Sequence, residues 1–351
     1  MIFLRERIGK LLRDLEGLIY TDETPVSGFR YVQSAEKFPD VSKVNTDDWA
    51  YCDRYPMSWG GHRAYYWFET FVTIPEEMDG QCVVYEQTTG KEDGWDATNP
   101  QFTIYVNNVL KQGLDINHRE VLLTEHAKAG ERYRIMLSAF TGDHNMNLVL
   151  DARIKVLHRE TEKYYYDLKM PYDTACLLRE SDTEYRDIIL NLNESLNLLD
   201  LRKPYSDAYE KSLKAAQDYL DQEFYERYAG VARQKVYCVG HTHIDVAWKW
   251  TLAVTEDKAV RSFSTVLELM RRYPEYKFMS SQPQLYKYVK KNAPQVYEEI
   301  KERVKEGRWE TEGGMFLEAD CNLTSGESLV RQFLYGKRFF REEFGTDNEI
   351  L

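Results

Sequence analysis

The sequence predicts a multidomain protein: an N-terminal β-sandwich of jelly-roll type, a helical linker, and the opening part of a parallel β/α domain. Three observations carry this reading. Residues 51–160 consist of short β-rich runs broken by turn residues, the texture of a sandwich. Residues 161–232 repeat apolar side chains every three or four positions, the helical period. Residues 233–351 alternate strand with helix, the pattern of a parallel sheet.

Residues 1–50 read as a helical and extended segment. Ile8, Leu11, Leu12, Leu15 and Leu18 make a helical stripe too short to stand without packing. In the sandwich, Tyr65 to Ile74 is a strand stopped by Pro75. Phe102 to Val106 leads into Asn107-Asn108, a hairpin turn, and Tyr133–Leu137 and Asn147–Ile154 alternate with the strand period. In the linker, Ile189, Leu192, Leu196 and Leu199 mark one apolar face, and Lys203-Pro204 breaks it. Beyond Arg233, Val236–Val239 reads as a buried strand and Thr255–Tyr273 as a helix burying Val260, Phe263, Val266, Leu267 and Met270. A strand at Tyr276–Met279 follows, then a helix closed by Gly307. Thr324 and Glu327 have capping-box spacing ahead of a helix ending at Gly345.

Net charge of −12, with no Lys/Arg cluster beyond helix-surface patterning, argues against nucleic acid and anionic membrane as partners. The charges in Arg5-Glu6-Arg7 interrupt any signal-peptide core, and no run reaches transmembrane length. Five scattered cysteines without a C-x-x-C pair read as reduced thiols of a cytoplasmic protein. The 26 Tyr and 7 Trp suit carbohydrate handling, since sugar C–H faces stack on rings, and equally suit a sandwich core.

The chemistry concentrates in Gly240-His241-Thr242-His243-Ile244-Asp245-Val246-Ala247-Trp248. In extended backbone, alternate residues share a side, so His241, His243 and Asp245 converge at the C-terminal end of a strand. Imidazole with carboxylate suits Zn²⁺; a solvent-facing polar strand is the other reading of the same text.

This stretch resembles the metal motif of glycoside hydrolase family 38, the α-mannosidases of cytosolic and bacterial type. Four further ordered segments are similar to that family: Pro274–Phe278 with Ser281–Tyr286, Glu306–Glu310, Gly313–Met315 through Glu318–Leu323, and Thr324–Gln332. The upstream region is more weakly similar to the family's ancillary sandwich, through Asn107-Asn108 and Asp115–Glu120. Ala319 stands where some members have proline, and Lys249 where many have an apolar residue.

The resemblance implies a seven-stranded β/α barrel and a retaining, zinc-dependent exo-α-mannosidase acting on mannose-containing oligosaccharides, with oligomeric state left open. It implies His243 and Asp245 as zinc ligands and Trp248 as a wall of the sugar site. His241 then supports the ligands or the fold, Asp320 fixes its loop or touches sugar, and Glu318 stands beside it in an unassigned role. The family's nucleophile, its acid/base and the remaining ligands lie beyond Leu351. The chain is therefore expected to be an N-terminal fragment with a truncated barrel, without catalytic residues of its own and inactive alone. The competing functions are a non-catalytic carbohydrate-binding module, favoured by the missing carboxylates, and a metal-dependent deacetylase on a related barrel.

Overall fold

A computed structural model describes residues 3–38, 40–91, 100–142, 146–229 and 235–350. Helix α1 (Leu4–Glu16) is followed by twelve strands: β1 (Tyr20–Pro25), β2 (Phe29–Gln33), β3 (Ala50–Cys52), β4 (Met57–Gly61), β5 (Tyr65–Thr73), β6 (Val83–Gln87), β7 (Gln101–Val106), β8 (Val109–Leu114), β9 (Glu120–Thr124), β10 (Arg132–Phe140), β11 (Met146–Leu150) and β12 (Ala152–Leu157). Three helices come next, α2 (Arg159–Leu177), α3 (Thr183–Leu198) and α4 (Asp207–Tyr219). The last region comprises β13 (Gly240–His241), α5 (Leu252–Arg272), β14 (Phe278–Met279), α6 (Pro283–Asn292), α7 (Pro294–Lys305), β15 (Trp309–Glu310) and α8 (Gly326–Phe344). No helix among the described residues is long and apolar enough to cross a membrane.

The β-rich part forms antiparallel sheets of order β1-β12-β6-β9, β3-β2-β5-β10-β7-β8 and β11-β4. Phe68, Phe102, Ile104 and Leu137 of the six-stranded sheet share one core with Tyr85, Ile154 and Val156 of the four-stranded sheet. Strand alternation explains this, since every second residue of each strand faces inward. Asn107 and Asn108, at φ 48° and 69°, turn β7 into β8, a left-handed pair that asparagine tolerates well. The expected single strand Asn147–Ile154 is instead two. β11 pairs with β4, whereas β12 pairs with β1 and β6. The chain changes sheets at Asp151, a corner that alternation alone does not reveal.

Residues 1–50 are distributed rather than separate. β1, β2 and β3 join the sheets, and Ile8, Leu12 and Leu15 of α1 pack with Tyr164, Leu168, Ile189 and Leu192 of α2 and α3. That contact gives the short α1 stripe the partner it needs.

In the last region β13, β14 and β15 form a parallel sheet. Helix α5 buries Val260, Phe263, Val266, Leu267 and Met270, the face read from the sequence. Phe263 meets Phe278, Tyr286 and Trp309 edge-on or tilted. The expected buried strand at Val236–Val239 is not formed: Val236 is 79% and Tyr237 80% exposed. β13 is an edge strand whose neighbour meets it only from Gly240, opposite Phe278. With no partner strand among the described residues, the preceding apolar run has neither ladder nor packing. Similarly, α8 is capped by Ser325, whose Oγ accepts from Ser328 N at 3.3 Å, not by Thr324. Glu327 turns to Arg331 at 2.9 Å instead of back to the cap.

Helix α5 is also riveted to the rest of the chain. Gly113 N of β8 donates to Thr265 Oγ1 at 3.0 Å. At the far end, Arg272 donates to Glu120 at 3.0 Å and to both oxygens of Glu162, at 2.5 and 2.6 Å. These side chains are less than one-third exposed, so screening is incomplete and removing the cation leaves two carboxylates facing each other. Arg272→Met should therefore lower unfolding stability by about 2 kcal/mol, measured by chemical denaturation. Adding Glu162→Gln should recover part of the loss; an unchanged midpoint in the single variant would show that the network contributes nothing.

Candidate functional site

Three loops leave the C-terminal ends of β13, β14 and β15 and meet, as loops of a parallel sheet do. The first carries His243 and Asp245, the second Ser281 and Gln282, and the third Glu318 and Asp320. Gly313, at φ 91°, permits the approach: a Cβ there would stand 2.7 Å from Ser281 Cβ.

His243 Nε2 lies 3.3 Å from Asp245 Oδ1, and its Nδ1 lies 3.2 Å from Glu318 Oε2. The other Glu318 oxygen accepts from Ser281 Oγ at 2.6 Å. Gln282 ties the three loops together. Its Nε2 donates to Ile244 O at 3.1 Å, and its Oε1 accepts from Glu318 N at 3.3 Å. It is 2% exposed and sits at φ 61° ahead of Pro283, which opens α6. Sequence reading missed Gln282 as the knot of this site; its only local signal was a glutamine immediately before a helix-opening proline.

A neutral imidazole carries one N–H. Of the two carboxylates beside His243, only Asp245 meets the ring in hydrogen-bond geometry, through Nε2. Metal bonds of about 2.0 to 2.2 Å in tetrahedral array separate two ligand atoms by roughly 3.4 Å, close to the 3.3 Å between Nε2 and Oδ1. The donor set and spacing of this pair fit Zn²⁺. Among the described residues, however, no three His, Cys, Asp or Glu side chains are placed to share one ion. His243, Asp245 and Glu318 are all about half exposed, so the site opens to solvent.

His241 does not join the pair. Its Nδ1 is 3.0 Å from Met279 O across the sheet, because β13 ends there and the residues after it leave the strand alternation. Asp320 is occupied by its own loop, accepting from Asn322 N at 2.8 Å and Leu323 N at 3.2 Å. Trp248 is 50% exposed and meets Trp250 edge-on at 5.3 Å. The start of α5 anchors its loop. Trp250 Nε1 donates to Asp245 O and to Thr255 Oγ1, both at 3.2 Å, and Thr255 Oγ1 also accepts from Ala247 N at 3.1 Å.

Residues 233–351 match the model of the glycosyl hydrolases family 38 N-terminal domain. The chain is similar to alpha-mannosidase G of Dictyostelium discoideum, with 29% identity over 98% of this chain and 31% of the relative. It is similar to alpha-mannosidase 2C1 of Homo sapiens at 30% identity over 80% of this chain and 27% of the relative. A third relative, an alpha-mannosidase of Saccharomyces cerevisiae, is 37% identical over 43% of this chain and 13% of its own length. The chain thus spans less than one-third of each of these relatives. The ordered motifs, the domain match and these similarities agree: the chain belongs to glycosyl hydrolase family 38.

Proposed function

We propose that this chain supplies one part of the active site of a retaining, zinc-dependent exo-α-mannosidase that removes terminal mannose from oligosaccharides. On this reading β13, β14 and β15 are the first strands of a seven-stranded β/α barrel. The observation that carries the proposal is the His243–Asp245 pair, 3.3 Å apart beyond the end of a parallel strand. His243 Nε2 and Asp245 Oδ1 would hold the ion. Bound zinc would supply a Lewis acid for the 2- and 3-hydroxyls of mannose, which are cis and can be clasped together. Trp248 presents a half-exposed ring for the sugar's C–H face. Glu318, whose Oε2 lies 3.2 Å from His243 Nδ1, would support the ring from behind, the usual place of a carboxylate beside a metal-bound histidine. His241 holds β13 to β14 through Met279 O, and Asp320 shapes its loop. The five free thiols suit a reducing cytoplasmic setting.

Retaining glycosidases need two carboxyl groups about 5 Å apart across the scissile bond, and no residue of this chain is assigned either role. Two protein ligands leave Zn²⁺ mostly hydrated. The 351-residue chain alone should therefore bind zinc weakly and release no nitrophenol from an aryl α-mannoside. The gene product that carries this chain together with the family's downstream domains should release it. Failure of that longer protein to hydrolyse any aryl α-mannoside in the presence of zinc would overturn the reading in favour of a non-catalytic module.

Glu318 allows a separate check. In the longer protein, Glu318→Ala should weaken zinc binding by about 10- to 100-fold, measured by competition with a chromophoric chelator, and Glu318→Gln should recover part of it. Unchanged zinc affinity in both variants would remove Glu318 from the site.

A further inference from the structure

A cavity of about 430 Å³ lies between the Asp115–His118 turn of the sandwich, helix α5, and the segment His241–Ile244. Arg261 of α5 forms part of its wall and is only 8% exposed. Its Nη2 donates to the side-chain oxygen of Gln101. The same oxygen accepts from Lys258 Nζ at 3.2 Å, and the Lys258 ammonium also stands over the Trp250 ring, 4.5 Å from its centroid. Among the described residues no carboxylate comes within 4.0 Å of the Arg261 guanidinium. The two acids that act on it from further away are engaged elsewhere. Asp257 pairs with Lys37, and Asp115 holds His118 at 3.1 Å while accepting two backbone N–H groups.

A desolvated cation without a counter-charge is strongly unfavourable. Burial accordingly holds the Arg261 guanidinium below its ordinary pKa, with Asp257 and Asp115 compensating only from a distance. In a chain of net charge −12, a cavity whose described lining sets Arg261, Lys258 and His118 against the one carboxylate of Asp115 is a local exception in sign. We infer that this cavity binds a small oxyanion, a phosphate or carboxylate group, between Arg261 and Lys258 of α5 and His118 of the sandwich turn. The guanidinium fork suits bidentate capture of either group. The volume is that of a small-metabolite pocket rather than of one bare ion, so the anionic group belongs to a small molecule. Because His243 forms part of the same wall, the ligand bridges the sandwich and the loop of the His243–Asp245 pair. The inference stands on Arg261 and does not depend on zinc or on mannoside hydrolysis.

The test is calorimetric titration of the chain with inorganic phosphate and, separately, with acetate, in EDTA at constant ionic strength. Saturable one-to-one binding is expected for at least one of them, and the tighter of the two identifies the group. Arg261→Met should weaken that binding by about tenfold or more. In anion-free buffer the same variant should melt no lower than the parent, because an uncompensated charge is replaced by a side chain of similar volume. Lys258→Gln should weaken binding several-fold, and it carries the test should Arg261→Met fail to fold. Absence of saturable binding of either anion beyond that seen with chloride would overturn the inference. So would binding that survives the substitutions. With EDTA present, either outcome leaves the zinc reading untouched.

Discussion

Asp245→Ala, made in the gene product that carries this chain and the family's downstream domains, should lower hydrolysis of nitrophenyl α-mannoside by about a thousandfold. The argument is local. The substitution removes one of two atoms that face each other at 3.3 Å and leaves His243 to hold a doubly charged ion without the nearest negative charge. Asp245 is 42% exposed at its side chain, so its removal opens no core cavity and the melting temperature of the metal-free protein should not move. Asp245→Asn keeps the volume and loses the charge, and it should behave like alanine if metal binding is the cause. Zinc content by mass spectrometry after dialysis completes the measurement. Wild-type turnover in Asp245→Ala would remove the pair from the reaction. Trp248→Ala should act differently, reducing kcat/KM by about 10- to 100-fold while zinc content stays constant.

The largest effect on stability is expected at Gly336. Alanine is the better helix former by about 1 kcal/mol, and on helical propensity alone Gly336→Ala in α8 would stabilise. The structure reverses the sign. A Cβ at Gly336 would stand 2.1 Å from Gly314 O, 2.7 Å from Phe316 N and 2.8 Å from Met315 C. These are backbone atoms, so no rotamer change relieves the clash and α8 must move away from residues 314–316. That movement breaks the bond from Phe316 N to Gln332 O, now 2.9 Å, and disturbs the segment that delivers Glu318. The expected cost is about 3 kcal/mol, with zinc affinity falling in parallel. Gly326→Ala is the control: it opens the same helix, and nothing lies within 4 Å of its added Cβ. Hydrogen exchange of the α8 amides separates local loosening from global unfolding. Equal protection in the two variants would show that the packing of α8 on this loop contributes nothing.

How much of this was legible beforehand depends on what each residue's role requires. His243 and Asp245 could be picked out because an imidazole and a carboxylate two positions apart in the chain are held within reach of each other by local backbone alone. The inner face of α5 was legible because the helical period alone selects Val260, Phe263, Val266, Leu267 and Met270. The Asn107-Asn108 turn was legible because left-handed backbone restricts the residue choice. Val236–Val239 was misread because an apolar run says nothing about whether a strand lies alongside it. His241 belongs to the same pattern as His243 but ends on Met279 O, since the alternation holds only while the backbone stays extended. Thr324 and Ser325 differ by one position in capping, a distinction settled by loop geometry and not by residue type.

By itself the sequence determined the order of the β-rich, helical and alternating regions, the nearness of His243 to Asp245 and the family to which the motifs point. All of these follow from short-range periodicity or from residue types that few other chemistries need. Only the tertiary structure decided that Glu318 backs His243, that Gln282 knots the three loops, that Asp320 is occupied by its own backbone, and that Arg261 is buried beside a neutral amide. Those are contacts between residues 36 to 160 positions apart in the chain, or choices among equivalent local partners. A carboxylate, an amide or a guanidinium has the same local signature wherever it goes, so its role is set by what packing brings within hydrogen-bond reach.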